Sequence, residues 1–269
     1  MQNRRMVSLA LRLGIDKHRI LVRYAVTVLW SIKYLRGKSR YRRDKQEYKK
    51  LNTREAFRIS EHNRYQYLDD WDKSAGTVGA YFYQDLWAAK KIHISGVKQH
   101  FDIGSRVDGF ILAILSFVNV TLMDIRPLDI CVQGLDFVQT DATSLDNIDD
   151  GSIASLSALC SLEHFGLGRY GDPIDPEACF KAFKAIQRVI IKGGTIYISV
   201  PVGPKDRLEF NAHRIFSPQT IISEFHEMEL REFSVVKADG RIVTNALEDM
   251  SWIKGSSWSD FGLFEFVKS

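Results

Sequence analysis

Cysteine is scarce. Cys131, Cys160 and Cys179 are the three among 269 residues, and no CxxC or other metal-ligand spacing relates them. An odd, unpatterned set argues against a disulfide framework and for a reducing compartment. The seven histidines never fall at i, i+4, so no zinc site is expected. Low-complexity tracts are absent, and 45% hydrophobic with 12% aromatic residues is the composition of a folded globular protein. Long apolar runs are missing too. The most apolar segment, Ile20 to Leu35, is broken by Arg23 and Lys33, and the nine uncharged residues between them fall well short of the ~20 that cross a bilayer. No small-residue cleavage site follows it and the next stretch is intensely basic, so a secretory signal is not expected.

Charge is present but unevenly spread. The net charge of +4 hides 16 Lys+Arg against 3 Asp+Glu in residues 1–54, and 21 against 30 in the remainder. An acidic body therefore carries a basic N-terminal extension. The apolar segment followed by "RGKSRYRRDKQEYKK" predicts an amphipathic helix lying on an anionic membrane surface. A helix that packs on the body or pairs two chains explains the same pattern. Nucleic acid is not an expected partner, because no recognisable binding module accompanies the charge.

Residues 55–97 form an aromatic-rich preamble in which "QDLWAAKKI" (Gln84 to Ile92) reads as a helix. From residue 98 short apolar runs alternate with helical patterns. Strand-like runs end at Asp102, Asp124, Asp141, Leu159 and Pro201. "GFILAILSF" (Gly109 to Phe117) reads as a helix after the first of them. A longer helix begins with Asp175 as N-cap and Pro176 in its first turn, and is expected to run to Lys192, where Gly193 and Gly194 stop it. Two more strands, "LREFSVVKA" and "FGLFEFVKS", close the chain. The alternation predicts a doubly wound, mostly parallel α/β sheet with an antiparallel C-terminal strand over residues 98–269.

In such sheets ligands bind beyond the carboxyl ends of the strands. Gly104 follows the first strand, where a residue without Cβ lets a ligand approach the backbone. Asp124 ends the second strand twenty residues on and suits both hydroxyls of a ribose. Asp141 ends the third and suits the amine of an adenine, with Ala142 leaving room for the ring. The loop "GSRVDG" lacks the middle glycine of a dinucleotide loop and the GK[ST] of a P-loop, and Arg106 and Asp108 would crowd a diphosphate. A nucleoside ligand without phosphate tolerates that loop better, and S-adenosylmethionine is one.

The order of glycine loop, ribose acid and adenine acid resembles class I methyltransferases, as do "FDIGS", "SALCSLEHF" and "RVIIKGGTIYISVPVG". "YFYQDLWAAKKI", "DIGSRVDGFI", "MDIRPL", "EHFGLGRYGDPIDP" and "FNAHRIFSP" are similar to a largely bacterial family known only as domain of unknown function 268, whose genes often lie among polysaccharide-assembly genes. The likeness covers roughly residues 80 to 240 and implies a Rossmann-like methyltransferase fold with S-adenosylmethionine as cofactor. The cofactor set is then Asp102, Gly104, Ser105, Asp124, Ile125, Asp141, Ala142 and Ser161. His164 is the first candidate base, His213 the second, and Glu163 an orienting carboxylate. Arg169, Tyr170, Asp172 and Arg214 are candidates to hold the acceptor. Trp252 and Trp258 are expected to pack in the core or a lid, with stacking on a sugar face as the alternative. The implied reaction is O-methylation of a sugar or polysaccharide precursor in the cytoplasm, with the basic extension attaching peripherally to the inner membrane face. A non-catalytic methyltransferase-like assembly factor is the rival expectation.

Overall fold

A computed structural model describes residues 17–59, 66–68, 78–253 and 260–269, without the side chains of residues 17–29 and of Met250. Contacts divide the chain into two units, Met1–Thr77 and Val78–Ser269.

In the first unit, α1 (Lys17–Leu51) is one continuous helix of 35 residues, about 52 Å long at 1.5 Å per residue. The expected amphipathic division is absent. Apolar residues gather in its first half and basic ones in its second, so they separate along the axis and not around it. Within residues 30–51 the side chains of Trp30, Leu35 and Leu51 are exposed. Among the described residues no helix is long and apolar enough to cross a membrane. Tyr65 and Trp71 of the aromatic preamble lie outside the described residues.

The second unit opens with α2 (Ala80–Ser95), which the sequence places in the preamble. Its Ala88, Ala89 and Ile92 bury against the sheet, and Lys91 Nζ reaches Glu232 Oε2 at 2.6 Å and Glu265 Oε2 at 2.7 Å. The remaining elements are β1 (Gln99–Ile103), α3 (Gly109–Leu115), β2 (Asn119–Asp124), β3 (Leu135–Gln139), β4 (Ile153–Leu159), α4 (Ala178–Val189), β5 (Ile190–Pro201), β6 (Arg207–Glu209), β7 (His213–Ile215), α5 (Pro218–Glu224), β8 (Met228–Val236), β9 (Ile242–Val243) and β10 (Phe261–Lys268). The main sheet has the order β3-β2-β1-β4-β5-β10-β8-β9. β1 to β5 pair in parallel, and β10 runs antiparallel between β5 and β8.

Period-two alternation sorts each strand between two cores. Val120 and Leu122 of β2 pack with Phe110, Ile111 and Ile114 of α3 on one face. Met123 turns to the other, where Ile196, Ile198 and Val200 of β5 meet Phe183, Ile186 and Val189 of α4. Full burial of each such side chain contributes about 1.5–3 kcal/mol. α4 stops at Val189, three residues before the expected Lys192, because Ile190 already pairs with Ile153 of β4. Its start also differs from the expected Asp175 cap: the helix begins at Ala178 with Glu177 as N-cap, and Asp175 Oδ1 accepts from Glu177 N at 2.9 Å in the turn before it. Residues 125–134 and 140–152, which join β2 to β3 and β3 to β4, contain no helix.

Candidate functional site

The chain leaves β1 toward β2 on one side and β4 toward β5 on the other, so the C-terminal ends of β1 and β4 form the switch point of the sheet. Gly104 stands there with φ +76°, and its backbone N–H donates to Met123 O at 2.9 Å. A Cβ on it would lie 3.0 Å from Ser161 Cβ. Left-handed backbone and close approach thus both require glycine at this position. Arg106 does not fill the loop: its side chain is 87% exposed and pairs outward with Asp108 at 2.8 Å. Gly109 closes the turn, and a Cβ there would meet Asp85 Oδ2 of α2 at 3.0 Å.

Asp102 lies beneath this loop and is fully buried. Its Oδ1 accepts from Ser105 N at 3.1 Å, and its Oδ2 accepts from the Ser157 hydroxyl. His100 Nε2 lies 2.9 Å from that same hydroxyl, and His100 Nδ1 lies 2.7 Å from Ser155 Oγ. Asp102 therefore positions the loop from below. Burial raises its carboxyl to about 6 and pulls the His100 imidazole down to about 3.

Two of the carboxylates expected at strand ends are already engaged, and one of them, Asp141, stands in the loop beyond β3, which ends at Gln139. Asp124 Oδ1 accepts from Arg126 N at 2.8 Å and Nε at 3.0 Å, and Oδ2 accepts from Arg126 Nη2 at 2.7 Å. Burial pushes this carboxyl up, but the Arg126 hydrogen bonds and charge outweigh it and hold it below the ordinary value. Asp141 is exposed and its Oδ1 accepts from Thr143 N at 2.8 Å, while Ile125 is 41% exposed beside Asp124. Ala142 departs from expectation. It is buried in the core with Met123 and Leu145, because the chain turns inward after Thr140.

The segment after β4 begins with Cys160 in a left-handed conformation, φ +50°, followed by a single 3-10 turn, Leu162–His164. Ser161 and Glu163 are both buried, and Ser161 Oγ and Glu163 Oε2 have no hydrogen-bond partner among the described residues. Burial raises the Glu163 carboxyl to about 8. Glu163 Oε1 lies 3.5 Å from His164 Nε2. His164 Nδ1 lies 2.6 Å from the carbonyl of Ala212, which can only accept, so the proton sits on Nδ1 and the lone pair on Nε2. Burial lowers this imidazole to about 4, well under the value of 6.5 expected for a base. His213 sits on β7 with its ring 6.3 Å from that of His164, and burial lowers it as well.

The four acceptor candidates divide. Arg169 Nη1 donates to Ala212 O at 2.9 Å, and the Arg169 and Arg126 guanidinium carbons lie 5.2 and 4.9 Å from the ring centre of Tyr170, which is 42% exposed. Asp172 and Arg214 instead hold backbone. Asp172 accepts from Gly166 N at 2.8 Å, Gly168 N at 3.3 Å and Tyr170 N at 3.1 Å, whereas Arg214 donates to the carbonyls of Phe165 at 2.6 Å and Pro176 at 3.0 Å. Polar groups in these loops are spent on satisfying turns that have no ladder partner. Trp252 is likewise a core residue, 3% exposed with Nε1 donating to Ala246 O at 2.9 Å, and Trp258 lies outside the described residues.

Several site residues escape the sequence reading. Gln84 Oε1 accepts from Ser199 Oγ at 2.7 Å and Cys160 Sγ at 3.0 Å, tying α2 to the ends of β4 and β5. Tyr81 on the same helix is within electrostatic reach of Glu163 and Arg169. Arg126, His100, Ser155 and Ser157 complete the set. The only signal for the last three was polar residues at alternate positions inside otherwise apolar strands.

The family model described as Caenorhabditis protein of unknown function, DUF268, matches residues 130–234, which span β3 to β8 and carry Glu163, His164 and His213. That description names Caenorhabditis, in place of the bacterial family expected. No curated protein matches significantly. The chain is similar in structure to the [4+2]-cyclase SpnF, with 14% identity and a TM-score of 0.52 over 70% of this chain and 80% of that one. It is also similar to Burkholderia thailandensis 1,6-didemethyltoxoflavin-N1-methyltransferase, solved with its substrate and S-adenosylhomocysteine, with 15% identity and a TM-score of 0.50 over 71% and 78%. Together with the strand order, these likenesses identify the second unit as a mostly parallel α/β sheet of the Rossmann-like class I methyltransferase fold.

Proposed function

We propose that the protein is an S-adenosylmethionine-dependent methyltransferase acting on a hydroxyl of a sugar or polysaccharide precursor. The observation that carries this reading is the pair of buried polar atoms, Ser161 Oγ and Glu163 Oε2, that have no hydrogen-bond partner among the described residues, with Ser161 packed beside the Gly104 turn at the switch point. Unsatisfied buried polar groups are costly and call for a ligand. The residues fit the group: a loop without Cβ at Gly104, a carboxylate at the end of β2, and acidic side chains suited to a cation. When bound, the cofactor supplies a methyl on a sulfonium. Transfer breaks the C–S bond, forms a C–O bond and releases the hydroxyl proton. His164 Nε2 is unprotonated and aims its lone pair beside Glu163, so it orients that hydroxyl and accepts its proton. The exposed ring of Tyr170 and the Arg169 guanidinium suit the face and hydroxyls of a sugar.

The assembly-factor reading is favoured by one observation, the complete engagement of Asp124 by Arg126. Calorimetric titration with S-adenosylmethionine and S-adenosylhomocysteine decides between them. Saturable binding of both supports the enzyme; no heat at millimolar ligand, with the protein shown to be folded, leaves the non-catalytic role. The basic second half of α1, next to exposed Trp30 and Leu35, supports peripheral attachment to anionic lipid. Loss of co-flotation with anionic vesicles on deleting residues 1–54 is the expected result, and unchanged flotation would refute it.

A further inference from the structure

Glu163 is an enclosed carboxylate on the loop rim at the C-terminal edge of the sheet, 2% exposed and with one oxygen unpartnered among the described residues. Its surroundings are nearly free of positive charge. From its own segment it meets Cys160 and His164, from α2 Tyr81, from the following loop Arg169, and from β7 the ring of His213 beyond His164. Asp85 of α2 adds negative charge on the side of Cys160. Arg214 touches only the Glu163 backbone oxygen, at 3.4 Å. No Lys or Arg forms an ion pair with the carboxyl among the described residues.

We propose that Glu163 lets the site distinguish a sulfonium ligand from the thioether left after methyl transfer, by releasing a proton when the cation enters. The inference rests on the cofactor reading above. A permanent cation within ~4–6 Å of a carboxyl favours its ionised form and lowers its ionisation by about 1–3 pH units. In the empty site burial keeps Glu163 protonated up to about 8. The sulfonium supplies the missing counter-charge; the thioether does not. Once the methyl has left, the carboxylate faces a neutral sulfur, takes back a proton and no longer favours the ligand, which promotes product release.

The free site binds the proton more tightly than the donor-bound site, so affinity for S-adenosylmethionine rises with pH up to about 8 and is flat above. Of the neighbouring groups, burial puts Cys160 well above this window and His164, at about 4, below it, and it lowers His213 as well. Calorimetry of the full chain from pH 6 to 8.5, in two buffers of different ionisation enthalpy, counts the protons. Release of roughly 0.5–1 proton is expected with S-adenosylmethionine at pH 7, and at most about 0.2 with S-adenosylhomocysteine. The donor Kd should fall about tenfold or more between pH 6 and 8 while the product Kd stays within about twofold. Glu163→Gln should abolish the release, and its retained binding of S-adenosylhomocysteine reports an intact site. Equal release with both ligands, or release that survives in Glu163→Gln, overturns the proposal while the cofactor reading stands. Failure of the wild-type chain to bind either ligand overturns both.

Discussion

The substitution Asp102→Asn tests whether the polar chain beneath the cofactor loop has the direction its chemistry requires. A carboxylate accepts and does not donate, so Ser157 must give its proton to Asp102 Oδ2. The Ser157 oxygen then accepts from His100 Nε2–H, and His100 Nδ1 accepts from Ser155. An asparagine that keeps Oδ1 on Ser105 N presents an NH2 group toward Ser157. The whole chain must reverse: Ser157 donates to His100 Nε2, and the imidazole proton moves to Nδ1. The number of hydrogen bonds is unchanged. What disappears is a charge held in a fully buried position.

Asp102 ionises near 6 when folded, against an ordinary 3.8, because burial disfavours the carboxylate. The folded state therefore holds its proton to higher pH than the unfolded chain. Stability falls as pH rises through that interval, by roughly 3 kcal/mol in all, and the loss is complete above it. The asparagine variant lacks this slope. Urea unfolding should find the two proteins nearly equal at pH 4 and the variant more stable at pH 8, by up to about 3 kcal/mol. Nitrogen NMR of His100 should show the protonated ring nitrogen exchanged. A stability difference independent of pH would refute the assignment of the buried charge. An unchanged His100 tautomer would refute the direction of the chain.

Gly104→Ala should cost about 1–2 kcal/mol for forcing Cβ into the left-handed region, seen as a melting point lower by roughly 2–8 °C. Its Cβ also presses on Ser161, so donor binding should weaken at least tenfold by calorimetry; unaltered affinity would remove Gly104 from the site. With burial drawing His164 to about 4, the turnover profile should show no step between pH 6 and 7 from this residue. His164→Ala should slow transfer by about a hundredfold or more without weakening cofactor binding, and unchanged turnover would leave the proton to another acceptor.

Much of the architecture was legible in the amino-acid order. Strands buried on both faces must be short apolar runs, and "VTLMDI" and "IASLSAL" could fold as little else between their turn residues. Gly104 and the acid twenty residues later likewise mark the ends of neighbouring strands, since strand length and crossover length set that interval. Local pattern misjudged the end of α4, because Ile190 continues the helical apolar stripe and only pairing with Ile153 shows that it begins β5.

Charge states and partners came from the tertiary structure alone. Nothing in "SLEHF" says that Glu163 is enclosed and protonated near neutrality, whereas exclusion of water by α2 and the loop after β4 decides it. Nothing in "MDIRPL" says that Arg126 doubles back on Asp124, or that Asp172 and Arg214 serve the backbone instead of an acceptor. The sequence by itself determined the succession of the five parallel strands, the glycine turn and the carboxylate that ends β2, because these follow from periodicity and steric limits within a few residues. The insertion of β10 between β5 and β8, the burial of Ala142 and the protonation of Glu163 depend on segments far apart in the chain, and only packing brings those together.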